Sequence, residues 1–134
     1  MIRVDFVPIA EDQAQRLLRP AEIYSGDLSA ADLVAGSACF AVAVNGRQVG
    51  AYALRLVEGE DGATVWIMAA AGSAPGVNLV AATLPAIEAN AARNGATALA
   101  VTTQRRGLIR KMRLLGYEVD SVNLRKVLNA GAMQ

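Results

Sequence analysis

The chain has 134 residues, the length of a single domain that can bury its own core, and its formal net charge is +1. Hydrophobic residues make up 54% and aromatic residues only 4%, so alanine-rich close packing is expected. The single cysteine excludes an internal disulfide, and the lack of histidine excludes a Ser-His-Asp or Cys-His site within the chain.

No apolar run reaches the roughly 18 residues that a membrane span needs. The first residues lack the charged and apolar regions of a signal peptide. We therefore expect a cytoplasmic protein that makes no use of a membrane.

The first third of the chain predicts a strand and two short helices. Residues 2–8 alternate between apolar and polar side chains, which indicates a half-buried strand. Residues 11–18 have two acids in the first turn of a helix. In the second helix, residues 27–35, Ser29 is the expected N-cap and Gly36 the expected stop.

A three-stranded antiparallel meander follows. Asn45-Gly46 separates two β-rich runs, residues 39–44 and 48–58, and supplies the positive φ angles of a two-residue hairpin turn. A second turn, residues 59–62, leads into a third strand, residues 63–71, that is apolar on both faces. That strand is predicted to be central in the sheet.

The second half predicts a crossover connection. A small-residue turn precedes a helix over residues 77–94, which contains Pro85 and should bend there, and a buried strand follows over residues 96–103. Gly95 is the expected end of the helix. A strand–helix–strand unit implies that the two strands run parallel.

The C-terminal part predicts a helix and a closing hairpin. Residues 106–115 form a short helix with apolar residues inward, namely Leu108, Met112 and Leu115. Residues 117–120 and 122–127 are predicted to pair as a hairpin, and residues 129–134 to form a loose tail.

Two features favour an anionic ligand. A strand, a small-residue turn and a helix commonly hold a phosphate, with the amides of Gly76, Val77 and Asn78 at the expected helix start. Arg105 and Arg106 open the next helix and could hold phosphates or an acidic partner. The alternatives are an ordinary strand–helix connection and a solvated cationic face.

The order of elements, together with the segment Gly-Leu-Ile-Arg-Lys-Met-Arg-Leu-Leu-Gly-Tyr at residues 107–117, resembles the GNAT-type acyltransferases. The chain looks like a divergent member, similar also to short GNAT-like frames of phage and prophage regions. The resemblance implies a single α/β (α+β) domain over residues 1–128. Its mixed, mostly antiparallel twisted sheet would have about six to seven strands, with helices on both faces.

The family uses acetyl-CoA or a related thioester, whose arm pairs like an extra strand with the central strand near a bulge. The resemblance places that contact at Met68, Ala69, Ala70 and Ala71. Three alanines in a buried strand are equally consistent with plain packing.

The family's diphosphate loop, Arg/Gln-x-x-Gly-x-Gly/Ala, is matched at one position of three. Gly76 keeps the central glycine, whereas Ser73 and Asn78 depart from the pattern, and Pro75 lacks an amide N–H. The amides of Gly76, Val77 and Asn78 are what the resemblance leaves for a diphosphate.

The catalytic positions of the family are not matched in this sequence. The family commonly has a tyrosine that protonates the departing thiolate, and Met112 occupies that position here. A general base could be sought among four carboxylates, Glu58, Glu60, Asp61 and Glu118, yet a solvated charge explains each of them better. We assign no catalytic residue and no metal ligand.

Three functions remain open. The first is an acyl-CoA-dependent N-acetyltransferase acting on a small-molecule or protein amine, and the second is a catalytically impaired relative that works as a binding module. The third, nucleic-acid binding through the helix at residues 105–113, ranks last because aromatic residues are scarce and the net charge is near zero. An alanine-rich surface is compatible with a homodimer.

Overall fold

The computed structural model describes residues 2–24, 28–103 and 105–128. Its elements in chain order are β1 (Val4–Ile9), α1 (Glu11–Leu17), a 3₁₀ helix (Arg19–Tyr24), α2 (Ala30–Val34), β2 (Ala38–Val44), β3 (Arg47–Gly59), β4 (Gly62–Gly72), α3 (Leu79–Arg93), β5 (Ala96–Val101) and α4 (Arg106–Leu114). Within the described residues, no helix combines the length and the apolar character needed to cross a bilayer.

The five strands form one sheet in the order β1-β2-β3-β4-β5. Neighbouring strands are antiparallel from β1 to β4, and β5 runs parallel to β4. The predicted meander and the parallel crossover are therefore confirmed. The strand predicted to be central, β4, is paired on both edges, although β3 occupies the middle position of the five.

Local sequence signals account for the turns and caps. Asn45 and Gly46 adopt φ angles of 51° and 80°, as the hairpin turn requires. Ser29 and Asp32 form a capping box at the start of α2, in which each side chain accepts the backbone N–H of the other residue. Gly95 follows α3 with a φ of 82°. The predicted helix start at Asp27 lies outside the described residues.

Helices cover both faces of the sheet, as expected. On one face α1, α2 and the 3₁₀ helix bury a cluster made of Ala14, Leu18, Ala21, Leu33, Val34, Cys39, Ala51, Ala53 and Ala69. On the other face α3 and α4 help to bury Val42, Tyr52, Leu54, Val65, Ile67, Leu84, Ile87, Ala91 and Met112. Alternate residues of β3 serve opposite clusters, which is why this strand is buried on both sides.

The closing hairpin is not present, so the sheet has five strands among the described residues and not six to seven. Residues 117–128 contain no strand. The two predicted strands were separated by Ser121 alone, and one residue is too short for the two-residue turns that hairpins favour. The predicted tail, residues 129–134, lies outside the described residues.

Because the hairpin is missing, residues of β5 and of the end of α4 are more exposed than predicted. β5 ends at Val101 and lies at the edge of the sheet, so Thr97 and Ala98 are exposed where a buried strand was predicted. Leu115 was expected to point inward, but it is exposed because no closing strand covers it.

Candidate functional site

A β-bulge at Met68 divides β4 into two parts. Ala53 of β3 pairs with Ala69, while the next residue, Leu54, pairs with Ile67, so Met68 is an extra residue without a partner in β3. Met68 and Ala69 consequently pack against the same cluster, on the α1–α2 face. The strand then resumes its alternation, and Ala70 is exposed.

β4 and β5 separate immediately before this bulge. Their parallel pairing runs from Ala63 opposite Ala96 to Ile67 opposite Val101, where β5 ends. Residues 68–72 of β4 continue beyond this point, and residues 69–72 are paired with β3 alone. We call this stretch the open β4 edge. Because backbone groups alternate in direction along a strand, about half of its N–H and C=O groups face the open side.

Small residues hold the end of the open β4 edge close to β3. A Cβ atom added to Gly72 would lie 2.9 Å from Cα of Gly50, so the two strands meet without side chains between them. The amide of Ser73 donates to the carbonyl of Val49 over 3.1 Å, which continues this contact into the turn. Plain packing therefore explains part of the small-residue pattern, and Ala69 in particular is only 7% exposed.

The turn after β4 differs from the prediction. α3 begins at Leu79, with Asn78 as its N-cap, and Oδ1 of Asn78 accepts the amide of Ala81 over 3.2 Å. The amide of Val77 is not free, because it donates to the carbonyl of Ala74 over 3.1 Å. The amide of Val77 is thus engaged within the turn, and its contribution to a phosphate site stays a prediction.

The free amides lie on both sides of Val77. Among the described residues, the amides of Leu79 and Val80 have no hydrogen-bond acceptor, as expected for the first turn of a helix. The amide of Gly76, whose φ is 74°, is likewise unpaired there. These groups and the helix dipole favour an anion at this corner.

The two predicted arginines lie at the same end of the sheet as the start of α3. β4 and β5 are parallel, so the turns after their carboxyl ends meet at one edge of the sheet. Arg105 is the N-cap of α4, and its amide donates to Oγ1 of Thr103 over 3.0 Å. Arg106 is the first residue of α4 and is exposed.

The outer face of α4 is cationic. A surface hollow of about 470 Å³ is lined by Arg106, Ile109, Arg110, Arg113 and Leu114. A neighbouring hollow of about 580 Å³ is lined by Arg113, Gly116, Tyr117, Glu118 and Val119. Arg106 thus belongs to a row of arginines along α4, which the basic composition of this segment already indicated.

The residue at the family's tyrosine position is part of the core. Met112 is 5% exposed and packs in the cluster under α3, so it supplies neither a proton nor a polar surface. The nearby phenol, Tyr117, already donates to Oε2 of Glu88 over 2.8 Å. Burial and that hydrogen bond both raise the pKa of Tyr117, which makes it a poor source of protons near neutral pH.

The candidate bases lie far from the open β4 edge. Glu58, Glu60 and Asp61 surround the turn between β3 and β4, at the opposite end of β4 from Met68. At a rise of about 3.3 Å per residue, Asp61 is roughly 20 Å from the bulge. Glu118 lies at the hollow beside Arg113. None of the four carboxylates adjoins the bulge along the chain.

No protein-family model matches the sequence, and no curated protein matches it. Solved structures do match. A structure from Pyrococcus furiosus has a TM-score of 0.75 at 14% identity, covering 94% of this chain and 100% of the other. A Trypanosoma brucei acetyltransferase has a TM-score of 0.65 at 15% identity, with coverage of 94% and 100%. An aminoglycoside N-acetyltransferase in complex with CoA has a TM-score of 0.59 at 17% identity, with coverage of 94% and 96%.

These likenesses extend over nearly the whole of the described domain. Together with the bulged β4, the parting of β4 and β5 and the helices on both faces, they show that the chain has the fold of the GNAT acetyltransferases. The fold is what the structural likeness establishes at these levels of identity.

Proposed function

We propose that this protein binds acetyl-CoA and acts as an N-acetyltransferase, transferring the acetyl group to an amine of a small molecule or of a protein. The observation that carries the proposal is the open β4 edge beside the Met68 bulge. The pantetheine arm of CoA contains two amide groups, and such an arm can pair with free strand groups as a short extra strand would.

The ends of the same opening suit the rest of the cofactor. The unpaired amides of Gly76, Leu79 and Val80 can accept the diphosphate at the start of α3. Arg106 lies at the same end of the sheet and can supply positive charge for a phosphate, with Arg105 beside it. Ala70, exposed on the open β4 edge, leaves room for the arm because its side chain is a single methyl group.

The transfer itself places few demands on side chains. The amine nitrogen attacks the thioester carbonyl, the carbon–sulfur bond breaks, the amine loses a proton and the sulfur gains one. Since Met112 cannot donate that proton and Tyr117 is engaged with Glu88, the proton would come from water, from another hydroxyl or from the acceptor. Bound CoA supplies the activated acyl group, and the chain's own contribution is to bind and align it.

A second function is favoured by the same observation about Met112. A protein that keeps the binding groove but has lost the proton donor would work as a binding module. Three of the candidate bases, Glu58, Glu60 and Asp61, lie at the opposite end of β4 from the bulge, which is compatible with this alternative.

Isothermal titration calorimetry with acetyl-CoA and with CoA tests the binding step. Both ligands should bind, and Ala70→Trp should weaken binding by about tenfold or more, because a tryptophan would fill the space beside the open β4 edge. The matched control is Ala38→Trp, an exposed alanine at the start of β2 away from the opening. No heat with either ligand at millimolar concentration would contradict the proposal.

A thiol-release assay separates the enzyme from the binding module. The enzyme should release CoA thiol from acetyl-CoA faster when a reactive amine, such as a polyamine or a lysine-containing peptide, is added. Binding by calorimetry without any amine-dependent release, across small-molecule and peptide amines, would support the module instead.

A further inference from the structure

Three arginines on the outer face of α4 have no anionic partner in their own chain. Arg106, Arg110 and Arg113 are spaced by four and three residues, so they share one face of the helix. All three are exposed, and they form no ion pair with the part of the chain that the structure describes. Like charges at these spacings repel one another, and a cation in the first turn opposes the helix dipole. An anionic partner relieves both effects.

The same face of α4 is concave and partly apolar. Ile109 and Leu114 line the hollow of about 470 Å³ together with the three arginines, and we call it the α4 hollow. Leu114 is 82% exposed, so it is available for contact with a partner. Glu118 lines the neighbouring hollow, whereas no described carboxylate lines this one. The surface therefore suits a projection that carries both carboxylates and apolar side chains.

The turn between β3 and β4 carries carboxylates that the acyl site does not use. Glu60 and Asp61 form a two-residue turn between Gly59 and Gly62, which pair with each other across the hairpin. Both carboxylates are exposed, and neither forms an ion pair with a described residue. Because the flanking glycines have no side chains, the two carboxylates stand at the apex of a narrow ribbon. We call residues 58–61 the acidic turn.

Apolar side chains lie next to the acidic turn. Residues 55–59 of β3 have no partner in β2 and are paired with β4 alone, so this end of the hairpin projects from the sheet. Leu56 and Val57 in this stretch are 45% and 47% exposed. The projection thus combines carboxylates with apolar side chains, just as the α4 hollow combines arginines with apolar side chains.

We propose that two copies of this protein form a dimer in which the acidic turn of each copy inserts into the α4 hollow of the other. Each chain offers one projection and one hollow, so a two-fold arrangement uses both surfaces in both copies. Arginine suits the contact because its planar guanidinium can bond a carboxylate through two parallel N–H groups. The pairing also brings together the opposite charges that nearly cancel in the net charge of +1.

Sedimentation equilibrium over a range of protein concentrations tests the assembly. The wild-type protein should have the mass of two chains at micromolar concentration in dilute salt. Raising sodium chloride from about 0.05 M to about 0.5 M should increase the dissociation constant about tenfold, because salt screens exposed charges.

A charge swap tests which surfaces meet. The turn variant is Glu60→Arg with Asp61→Arg, and the helix variant is Arg110→Glu with Arg113→Glu. Each variant alone places like charges at both contacts, so its dissociation constant should rise about a hundredfold. An equimolar mixture of the two restores opposite charges at both contacts and should form a mixed dimer with a constant within about tenfold of the wild type.

A matched control changes the charge by the same amount elsewhere. Arg16→Glu with Arg19→Glu removes two exposed arginines of α1 and the 3₁₀ helix, on the other face of the sheet from α4. This variant should dimerise nearly as the wild type does. Circular dichroism shows whether each variant is folded. Arg106, which the proposed acetyl-CoA site uses, is unchanged in all of them.

Four outcomes would overturn the proposal. The first is a wild-type protein with the mass of one chain at every concentration, and the second is growth beyond two chains. The third is a helix variant that dimerises as tightly as the wild type, and the fourth is a mixture of the two variants that stays monomeric. A monomeric wild type that binds mixed-sequence DNA, and a helix variant that does not, would assign this face to nucleic acid instead. These results do not depend on whether acetyl-CoA binds.

Discussion

The hydroxyl of Tyr117 donates a 2.8 Å hydrogen bond to Oε2 of Glu88, and so joins the chain after α4 to the middle of α3. Tyr117 also packs against the cluster that contains Met112, and its amide donates to the carbonyl of Met112. The pair holds the residues that follow α4 against α3. It therefore ties the end of α4 to α3, the helix whose first turn faces the candidate site.

Removing this hydrogen bond should have a measurable cost. Tyr117→Phe is expected to lower the free energy of unfolding by about 1 kcal/mol, because Glu88 is exposed and recovers a bond to water. Tyr52→Phe is the matched control, since the hydroxyl of Tyr52 has no hydrogen bond to a described residue. Urea denaturation followed by circular dichroism measures both. Equal losses for the two variants would mean that the Glu88 bond does not contribute.

Stability should fall at alkaline pH. Burial raises the pKa of Tyr52 to about 12 from the usual value near 10, and burial with the Glu88 bond raises the pKa of Tyr117. Groups with a raised pKa stabilise the fold fully below their unfolded pKa, and this contribution is lost as the pH rises from about 10 to about 12. The melting temperature should therefore drop over this range, and less steeply for Tyr52→Phe. Parallel curves for the two proteins would contradict this account.

Two glycine substitutions, one at the contact between β3 and β4 and one in α4, should change the unfolding free energy in opposite directions. In Gly50→Ala the new methyl group would lie 2.8 Å from Cα of Gly72, which is backbone and cannot move aside. The variant should lose about 1–3 kcal/mol of unfolding free energy. Gly107→Ala in α4 meets nothing within 4 Å and should gain up to about 1 kcal/mol from helix propensity. Chemical denaturation distinguishes the signs, and a stable Gly50→Ala would show that the strands lie further apart.

Truncating the buried Met112 should cost far more stability than truncating an exposed residue of the same helix. Met112 is 5% exposed, so Met112→Ala should lose about 2–5 kcal/mol. Leu114, two residues later in the same helix, is 82% exposed, and Leu114→Ala should change stability by no more than about 0.5 kcal/mol. Thermal melts of both variants measure this difference. A small loss for Met112→Ala would place that side chain outside the core.

Signals contained within a few residues predicted the local structure well. Asn45-Gly46 specifies its own turn because both positions tolerate positive φ, and Ser29 with Asp32 satisfies amides only one turn away. The order of the strands also follows from the sequence, because a meander and one crossover leave few arrangements. These parts of the fold depend on interactions that lie close together along the chain.

Features set by distant partners were predicted less well. Apolar residues after Tyr117 predicted a hairpin, but the pattern names no partner strand, and residues 117–128 form no strand. Val77 was expected to begin α3, whereas the side chain of Asn78 caps the helix and shifts its start to Leu79. For the candidate site, a resemblance pointed to a bulge near residues 68–71, but its position at Met68 depends on the register between β3 and β4.

The bulge at Met68 is defined by a count of residues and not by the nature of a side chain. A different side chain at this position could keep the extra residue in β4, whereas deleting Met68 would leave Ile67 and Ala69 in regular alternation opposite Leu54 and Ala53, and so remove the bulge. The shape of the opening thus depends on the number of residues between the paired positions of β4, and not on which residues they are. Distant homologues could then keep such a groove at very low sequence identity.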